Sequence, residues 1–142
     1  MYELTDEGRA TMGVWLAEML AEPKQEFPQF PAALSFVLML EPREALEILE
    51  RRAATLAESL AGQDKGLAEQ AEVYRLPRVT MLEGEYLRAM TAAELDWIKS
   101  VTDELRSGKL SWTFDQLIGF AQSTGQAALV EPERLAPRDE RD

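Results

Sequence analysis

Carboxylates are the side chains in this sequence that could do acid–base chemistry. The chain has 26 Asp and Glu residues, including the pairs Glu47/Glu50 and Glu94/Asp96. General acid–base catalysis requires a carboxyl group that burial or a neighbouring charge makes titrate near the working pH. Glu47 and Glu50 lie off the apolar positions of their helix, so the sequence does not place them in such an environment. We therefore predict no catalytic residue and no enzymatic activity.

Cys and His are both missing from the composition. Their absence excludes thiolate nucleophiles, Ser–His relays and zinc sites built from His or Cys. A di-iron helical bundle uses Glu-x-x-His motifs, and a carboxylate site for Mg²⁺ or Ca²⁺ needs an Asp-rich loop, which residues 63–65 do not provide. No glycine-rich phosphate loop of standard spacing is present either. We predict no metal and no cofactor.

The charge balance of the chain is strongly acidic. Fifteen Lys and Arg against 26 Asp and Glu give a formal net charge of −11. Affinity for nucleic acid depends on cationic side chains that neutralise phosphates, so this chain by itself is not expected to bind DNA. No apolar run approaches the roughly 20 residues that span a bilayer, and no basic, hydrophobic leader begins the sequence. We expect a cytoplasmic protein with no membrane contact.

The first helix is predicted over residues 5–21. Thr5 stands where an N-cap accepts a backbone hydrogen bond, and Asp6 and Glu7 follow where the helix macrodipole favours negative charge. Pro23 ends the helix because it restricts the residue before it and cannot donate a helical hydrogen bond. Five side chains at three- and four-residue spacing form one apolar stripe: Met12, Trp15, Leu16, Met19 and Leu20.

The next part of the chain is punctuated by prolines. An extended connector is predicted over residues 23–31, with Phe27 and Phe30 packed into a groove or the core. Residues 32–40 are apolar almost all round, which predicts a short buried helix.

A second long helical stretch begins at Pro42, which suits the first turn of a helix because its missing N–H would be unpaired there. Its apolar positions follow the 3-4-3-4 pattern of a coiled-coil seam: Leu46, Leu49, Ala53, Leu56 and Leu60. Gly62 and Gly66 each disfavour a helix interior by about 1 kcal/mol relative to Ala. We therefore predict a loop or kink there, joining two helical pieces of which the second ends at Pro77.

The longest helix is predicted over residues 79–107, with Gly108 as its left-handed C-terminal residue. Gly84 lies inside it and would permit close approach of another helix. The apolar stripe of this helix repeats at three or four residues: Leu82, Tyr86, Met90, Ala93, Trp97, Val101 and Leu105. A short amphipathic helix follows at residues 113–123, and the charged, Pro-interrupted residues 131–142 are expected to be a disordered tail of mixed charge.

Together these elements predict an all-α fold. The expected architecture is an elongated, coiled-coil-like helical domain over residues 1–130, with two long helices and shorter buried ones.

The start of the chain and a motif in the last long helix carry a resemblance. Tyr2 and Leu4 alternate with polar Glu3, which is the spacing of a strand that runs into the first helix. The pattern Y-x-L-T-x-x-G-R is completed by W-L and rests on Tyr2, Leu4, Thr5, Gly8, Trp15 and Leu16. It resembles the exit from the wing in PadR-type transcriptional regulators. Glu94 and Trp97 are similar to the E-x-x-W of that family's helical C-terminal region, also known as the virulence-activator-alpha C-terminal region. The likeness covers roughly residues 2–107, and the family's N-terminal winged helix has no counterpart in the chain.

The resemblance implies a homodimer, or a heterodimer with a full-length relative, in which DNA is contacted only through a winged helix that is absent here. The implied dimer interface consists of Leu16, Leu20, Met90, Ala93, Trp97, Val101 and Leu105. The implied ligand is a flat aromatic or drug-like effector, held by Trp97 with Met90, Tyr86 and Trp15. Small Ala93 beside large Trp97 would leave a slot for such a molecule, and Met adapts to varied shapes.

Two alternatives remain open at this stage. Trp97 is also explained as a packing residue of the core or interface, without any ligand. The whole chain is also compatible with a stand-alone interaction or small-molecule-binding module that does not act on DNA.

Overall fold

The computed structural model describes residues 3–23 and 28–130, with side chains described as far as residue 124. Within these residues the protein is all-α and has no β-strand, which confirms the predicted fold class. The helices are α1 (Asp6–Ala21), α2 (Gln29–Ser35), α3 (Pro42–Glu72), α4 (Leu82–Ser107) and α5 (Phe114–Val130). Two compact units are distinguished, one up to Phe36 and one from Val37 onward.

Helix α1 begins and ends as its sequence predicts. The backbone N–H of Gly8 donates to the Thr5 hydroxyl oxygen at 3.0 Å, which caps the first turn. The helix ends at Ala21, two residues before Pro23. The predicted strand ending is wrong for Leu4, because residues 3–5 are not in a strand. Tyr2 lies outside the described residues.

The connector and the second helix differ from prediction. Helix α2 begins at Gln29, so Phe30 and Pro31 belong to a helix rather than to an extended segment. Pro31 is tolerated because the first turn of a helix has backbone N–H groups without helical partners. Phe27 lies outside the described residues.

The short buried helix predicted over residues 32–40 is also wrong. Helix α2 stops at Ser35, and a separate 3₁₀ turn covers Val37–Met39. Neither element contains a buried residue. Two such short elements do not bury their apolar side chains on their own, so composition alone did not identify a core helix here.

Helix α3 is a continuous helix of 31 residues that starts with Pro42 in its first turn. The predicted break at Gly62 and Gly66 is therefore wrong. Contacts with α4 next to these glycines explain why: Asp64, between them, binds Arg88 of α4, and Leu67, after Gly66, packs beside Gly84. These contacts offset the low helix propensity of glycine.

The end of α3 comes earlier than Pro77. The helix stops at Glu72, and Arg75 takes a left-handed conformation with a φ of 50°. The backbone N–H of Leu76 then donates to the Gln70 carbonyl oxygen at 2.9 Å. Arg75 thus has the left-handed conformation that glycine usually supplies at a helix end.

Helix α4 has 26 residues and starts later than predicted, because Arg78–Met81 forms a 3₁₀ turn. The longest helix described is consequently α3. Gly108 has a φ of 79° and ends α4 in the predicted left-handed conformation.

The core of the second unit lies between α3 and α4. Five buried side chains form it: Ala45, Leu49, Leu95, Ile98 and Thr102. Gly84 permits the predicted close approach, since a Cβ atom at this position would lie 3.1 Å from the Leu67 side chain. The two helices are antiparallel, because ion pairs join the early part of α3 to the end of α4 and the late part of α3 to the beginning of α4.

Helix α5 is longer than the predicted 113–123 and runs to Val130. Its start is capped reciprocally, with the Gln116 N–H donating to the Thr113 hydroxyl at 3.3 Å and the Thr113 N–H donating to the Gln116 side chain at 3.2 Å. Residues 131–142, predicted to be a disordered tail, lie outside the described residues.

Candidate functional site

The outer face of α4 carries three of the four side chains predicted to hold a ligand. Tyr86, Met90 and Trp97 are 63%, 53% and 46% exposed. Their spacing of four and seven residues places them on one side of the helix. Ala93 lies between Met90 and Trp97 and is exposed as well. The structure thus groups Tyr86, Met90, Ala93 and Trp97 on one open surface, which we call the outer face of α4.

The inner face of α4 consists of residues that the sequence analysis did not single out. Leu95, Ile98 and Thr102 are buried against α3. They also repeat at three- and four-residue spacing, so α4 has two apolar stripes on different sides. Periodicity could have found the second stripe, but it does not say which stripe meets α3.

The two residues of the E-x-x-W motif point to different neighbours. Glu94 Oε1 accepts a hydrogen bond of 2.6 Å from Arg52 Nη2 of α3. Trp97, one turn later, is on the outer face. Glu94 therefore has a structural contact inside the helix pair, while the indole of Trp97 is accessible to a ligand or a partner.

Two further residues of the predicted interface occupy the border between the faces. Val101 and Leu105 are half-buried. Val101 continues the outer stripe, whereas Leu105 lies further round the helix. A partner on the outer face would have less of Leu105 to cover than the sequence pattern implied.

Helix α1 contains the remaining predicted residues and buries none of its side chains. Trp15, Leu16 and Leu20 are exposed, Leu20 by 86%. Val14 is exposed on the opposite side from Leu16, so α1 is apolar on more than the single predicted stripe. Trp15 belongs to the first unit and Trp97 to the second, and the structure describes each unit by itself.

Three charged contacts fix α4 against α3. Besides Arg52–Glu94, the Arg88 Nε atom donates to Asp64 Oδ1 at 2.7 Å, and Arg106 donates to Glu50 Oε1 at 2.8 Å. The hydrogen bond and the negative charge of Asp64 raise the pKa of Arg88. The basic groups of α4 that contact α3 thereby lie away from its outer face.

A cleft at the beginning of α3 is the second candidate site, and the sequence analysis missed it. Its volume is about 650 Å³, and it is lined by Leu38, Met39, Leu40, Glu41, Pro42, Arg43, Trp112, Thr113 and Phe114. The Trp112 indole N–H donates to the Leu40 carbonyl oxygen at 2.9 Å, which ties the start of α5 to the 3₁₀ turn. This contact joins residues 72 positions apart in the sequence, at the cleft that both residues line.

Acidic side chains in the described part of the chain do not gather into a group that could hold a metal ion. Glu50 and Asp64, for example, form ion pairs with arginines of α4. Among residues 3–23 and 28–130, no helix has the length and apolar character needed to cross a membrane.

The fold and this surface define an all-α chain with an open apolar face on one long helix. Comparison with protein-family models, curated proteins and solved structures found no match.

Proposed function

We propose that this chain is the dimerisation and effector-sensing region of a PadR-like transcriptional regulator. The outer face of α4 is the observation that carries the proposal. This helix already has a buried face against α3, yet it presents Tyr86, Met90 and Trp97 on its other side. Contiguous exposed apolar surfaces of this kind mark interaction sites.

Helix α1 supports the same proposal independently. It has 16 residues and buries none of them, although it is rich in large apolar side chains. An isolated helix of this length is marginal in water, because nucleation is unfavourable and most helix stability comes from packing. A second copy of the chain would supply that packing, and two-fold dimers are the commonest oligomers.

The regulatory step follows from dimer geometry. DNA would be contacted by a winged helix that lies outside these 142 residues, which agrees with a net charge of −11 that repels phosphate backbones. The dimer would set the spacing between two DNA-reading domains to match two half-sites. An effector that binds one dimer geometry more tightly would shift the population toward it by its differential affinity.

Trp97 is the central residue of the proposed effector site. A flat aromatic molecule would stack on the exposed indole, with Met90 and Tyr86 beside it and the small Ala93 side chain leaving room. Stacked aromatic pairs contribute about 0.5–1.5 kcal/mol beyond area burial, so several such contacts are needed for micromolar affinity.

Sedimentation of matched glutamate variants tests the dimer. We expect Met90→Glu to convert the dimer to a folded monomer, because Met90 is exposed in the single chain and a charge there harms only an interface. Ala54→Glu is the control, since Ala54 is exposed on α3 and the variant has the same added charge. Equal dimer content in both variants would contradict a role for the outer face of α4.

Fluorescence titration tests the effector site. Flat aromatic compounds should quench the tryptophan emission of the unmodified protein and quench Trp97→Phe much less, because the stacked indole is the one removed. Trp112→Phe serves as the matched control, since it removes a tryptophan from the cleft instead. If Trp112→Phe abolished the quenching while Trp97→Phe retained it, the effector site would be the cleft.

The cleft favours a second candidate function, a stand-alone small-molecule-binding module that does not act on DNA. Its volume of about 650 Å³ lies within the usual range of ligand pockets. Apolar side chains of Leu38, Met39 and Phe114 line it together with the charged Arg43. This candidate would be supported if ligands bound the Met90→Glu monomer as tightly as they bind the dimer.

A further inference from the structure

The apolar residues on the outer face of α4 are spaced symmetrically along the helix, so the intervals between them are the same from either end. Its stripe consists of Leu82, Tyr86, Met90, Ala93, Trp97 and Val101. The intervals between successive members are 4, 4, 3, 4 and 4 residues, which is symmetric about the midpoint between Thr91 and Ala92. A stripe of this kind can face a reversed copy of itself with every member opposite another member.

We infer that two copies of the chain pair through the outer faces of α4 in antiparallel orientation. The two-fold axis crosses the helix at the level of the peptide bond between Thr91 and Ala92. This inference rests on the proposed dimer and specifies its register. In this arrangement Met90 faces the partner's Ala93, Tyr86 faces the partner's Trp97, and Leu82 faces the partner's Val101. Such an isologous contact uses the same patch on both chains.

Side-chain sizes fit this register. At the centre, large Met90 lies opposite small Ala93, which lets the two helices approach closely without overpacking. On each side of the centre the two aromatic side chains, Tyr86 and Trp97, come together, where offset or edge-to-face packing is favourable. A parallel pairing would instead place Ala93 against Ala93 and leave a gap at the centre.

The charges on the outer face also favour the antiparallel orientation. Glu104 follows Val101 by three residues and continues the stripe toward the end of α4. A parallel pair would bring the two copies of Glu104 together, and facing like charges are destabilising. The antiparallel register places Glu104 at the rim near the partner's Val79, which is exposed and uncharged.

The size of the surface shows what else the dimer requires. Each half-exposed large side chain of the stripe offers roughly 100 Å², so α4 provides on the order of 500 Å² per chain. A stable interface buries about 800 Å² per partner. The α4 contact is therefore smaller than a standard interface, and a stable dimer requires further apolar area.

Cysteine cross-linking tests the register directly because the natural chain contains no cysteine. A disulfide requires Cα atoms about 4.4–6.8 Å apart. In the antiparallel register, position 86 faces position 97 of the partner, whereas the two copies of position 97 are separated by 11 residues, or about 16 Å. Oxidation of mixed Tyr86→Cys and Trp97→Cys chains should therefore give at least about tenfold more covalent dimer than either variant alone.

A second cysteine pair tests the same register without removing the two aromatic side chains. Leu82→Cys mixed with Val101→Cys keeps Tyr86 and Trp97, and it should also cross-link as the mixed species, identified by its mass. Ala54→Cys on the exposed side of α3 is the control and should not cross-link.

Each other outcome overturns a defined part of the account. Self-linking of Trp97→Cys at the rate of the mixture would establish a parallel register and refute the inference while leaving the dimer intact. No cross-link in either pair, with a dimer in sedimentation, would refute pairing through the outer face of α4. A monomer in sedimentation would refute both the register and the proposed dimer.

Discussion

The α3–α4 pair and α1 differ in the burial of their apolar side chains. Helices α3 and α4 bury Leu49, Leu95 and Ile98 between them and add ion pairs along their length. Helix α1 is richer in apolar side chains than either and buries none. One part of the molecule buries apolar side chains against a neighbouring helix, whereas the other exposes them. Large apolar side chains on the outer face of α4 are exposed as well.

The largest expected effect comes from the core of the α3–α4 pair. Ile98 is 0% exposed, and Ile98→Ala should lower the free energy of unfolding by about 3 kcal/mol, because it removes buried contacts and leaves a cavity. Ile48→Ala is the matched control on the outside of α3, where the side chain is 43% exposed. Urea unfolding should show less than about 1 kcal/mol for this variant. Equal losses of unfolding free energy in the two variants would contradict the difference in burial between Ile98 and Ile48.

A smaller effect is expected for α1 on dilution. If α1 is stabilised by a second copy, its backbone amides should exchange at least about tenfold faster below the dimer dissociation constant, which corresponds to about 1.4 kcal/mol. The amides of α3 and α4 should keep their protection over the same range. Hydrogen exchange read by mass spectrometry on peptides from each helix provides the comparison. Protection of α1 that does not change with concentration would show that this chain stabilises α1 alone.

The smallest effects are expected at Gly62 and Gly84, which have different surroundings in the α3–α4 pair. A Cβ at Gly62 would meet nothing within 4 Å, so Gly62→Ala should stabilise the protein by about 0.5–1 kcal/mol through higher helix propensity. Gly84→Ala should gain less or destabilise, since its Cβ would lie 3.1 Å from Leu67. The midpoints of urea unfolding measure the change in stability of each variant. A larger gain at Gly84 than at Gly62 would contradict the close approach of α4 to α3.

Helix ends were predictable because their signals are local. Thr5, Pro42 and Gly108 each act on the turn to which they belong, so their roles could be assigned from their immediate neighbours. Contacts between distant residues were not predictable in this way. The continuity of α3 through Gly62 and Gly66 depends on packing and an ion pair with residues of α4, and the cleft depends on the bond between Trp112 and Leu40.

The candidate site, too, could be predicted from the sequence only in part. The predicted stripe of α4 includes Tyr86, Met90, Ala93 and Trp97, which are exposed, but the sequence analysis overlooked the inner stripe of Leu95, Ile98 and Thr102. Both stripes have helical spacing, and spacing alone does not say which one packs inside the chain. The dimer, the effector and the link to DNA regulation stay predictions.

The most direct test of the central claim is the mass of the unmodified protein measured by sedimentation equilibrium over a series of concentrations. We expect twice the 16.0 kDa mass of one chain at micromolar concentration, with dissociation on dilution. A mass of 16.0 kDa throughout the series would contradict it, because the apolar surfaces of α1 and α4 would then have no second copy to cover them.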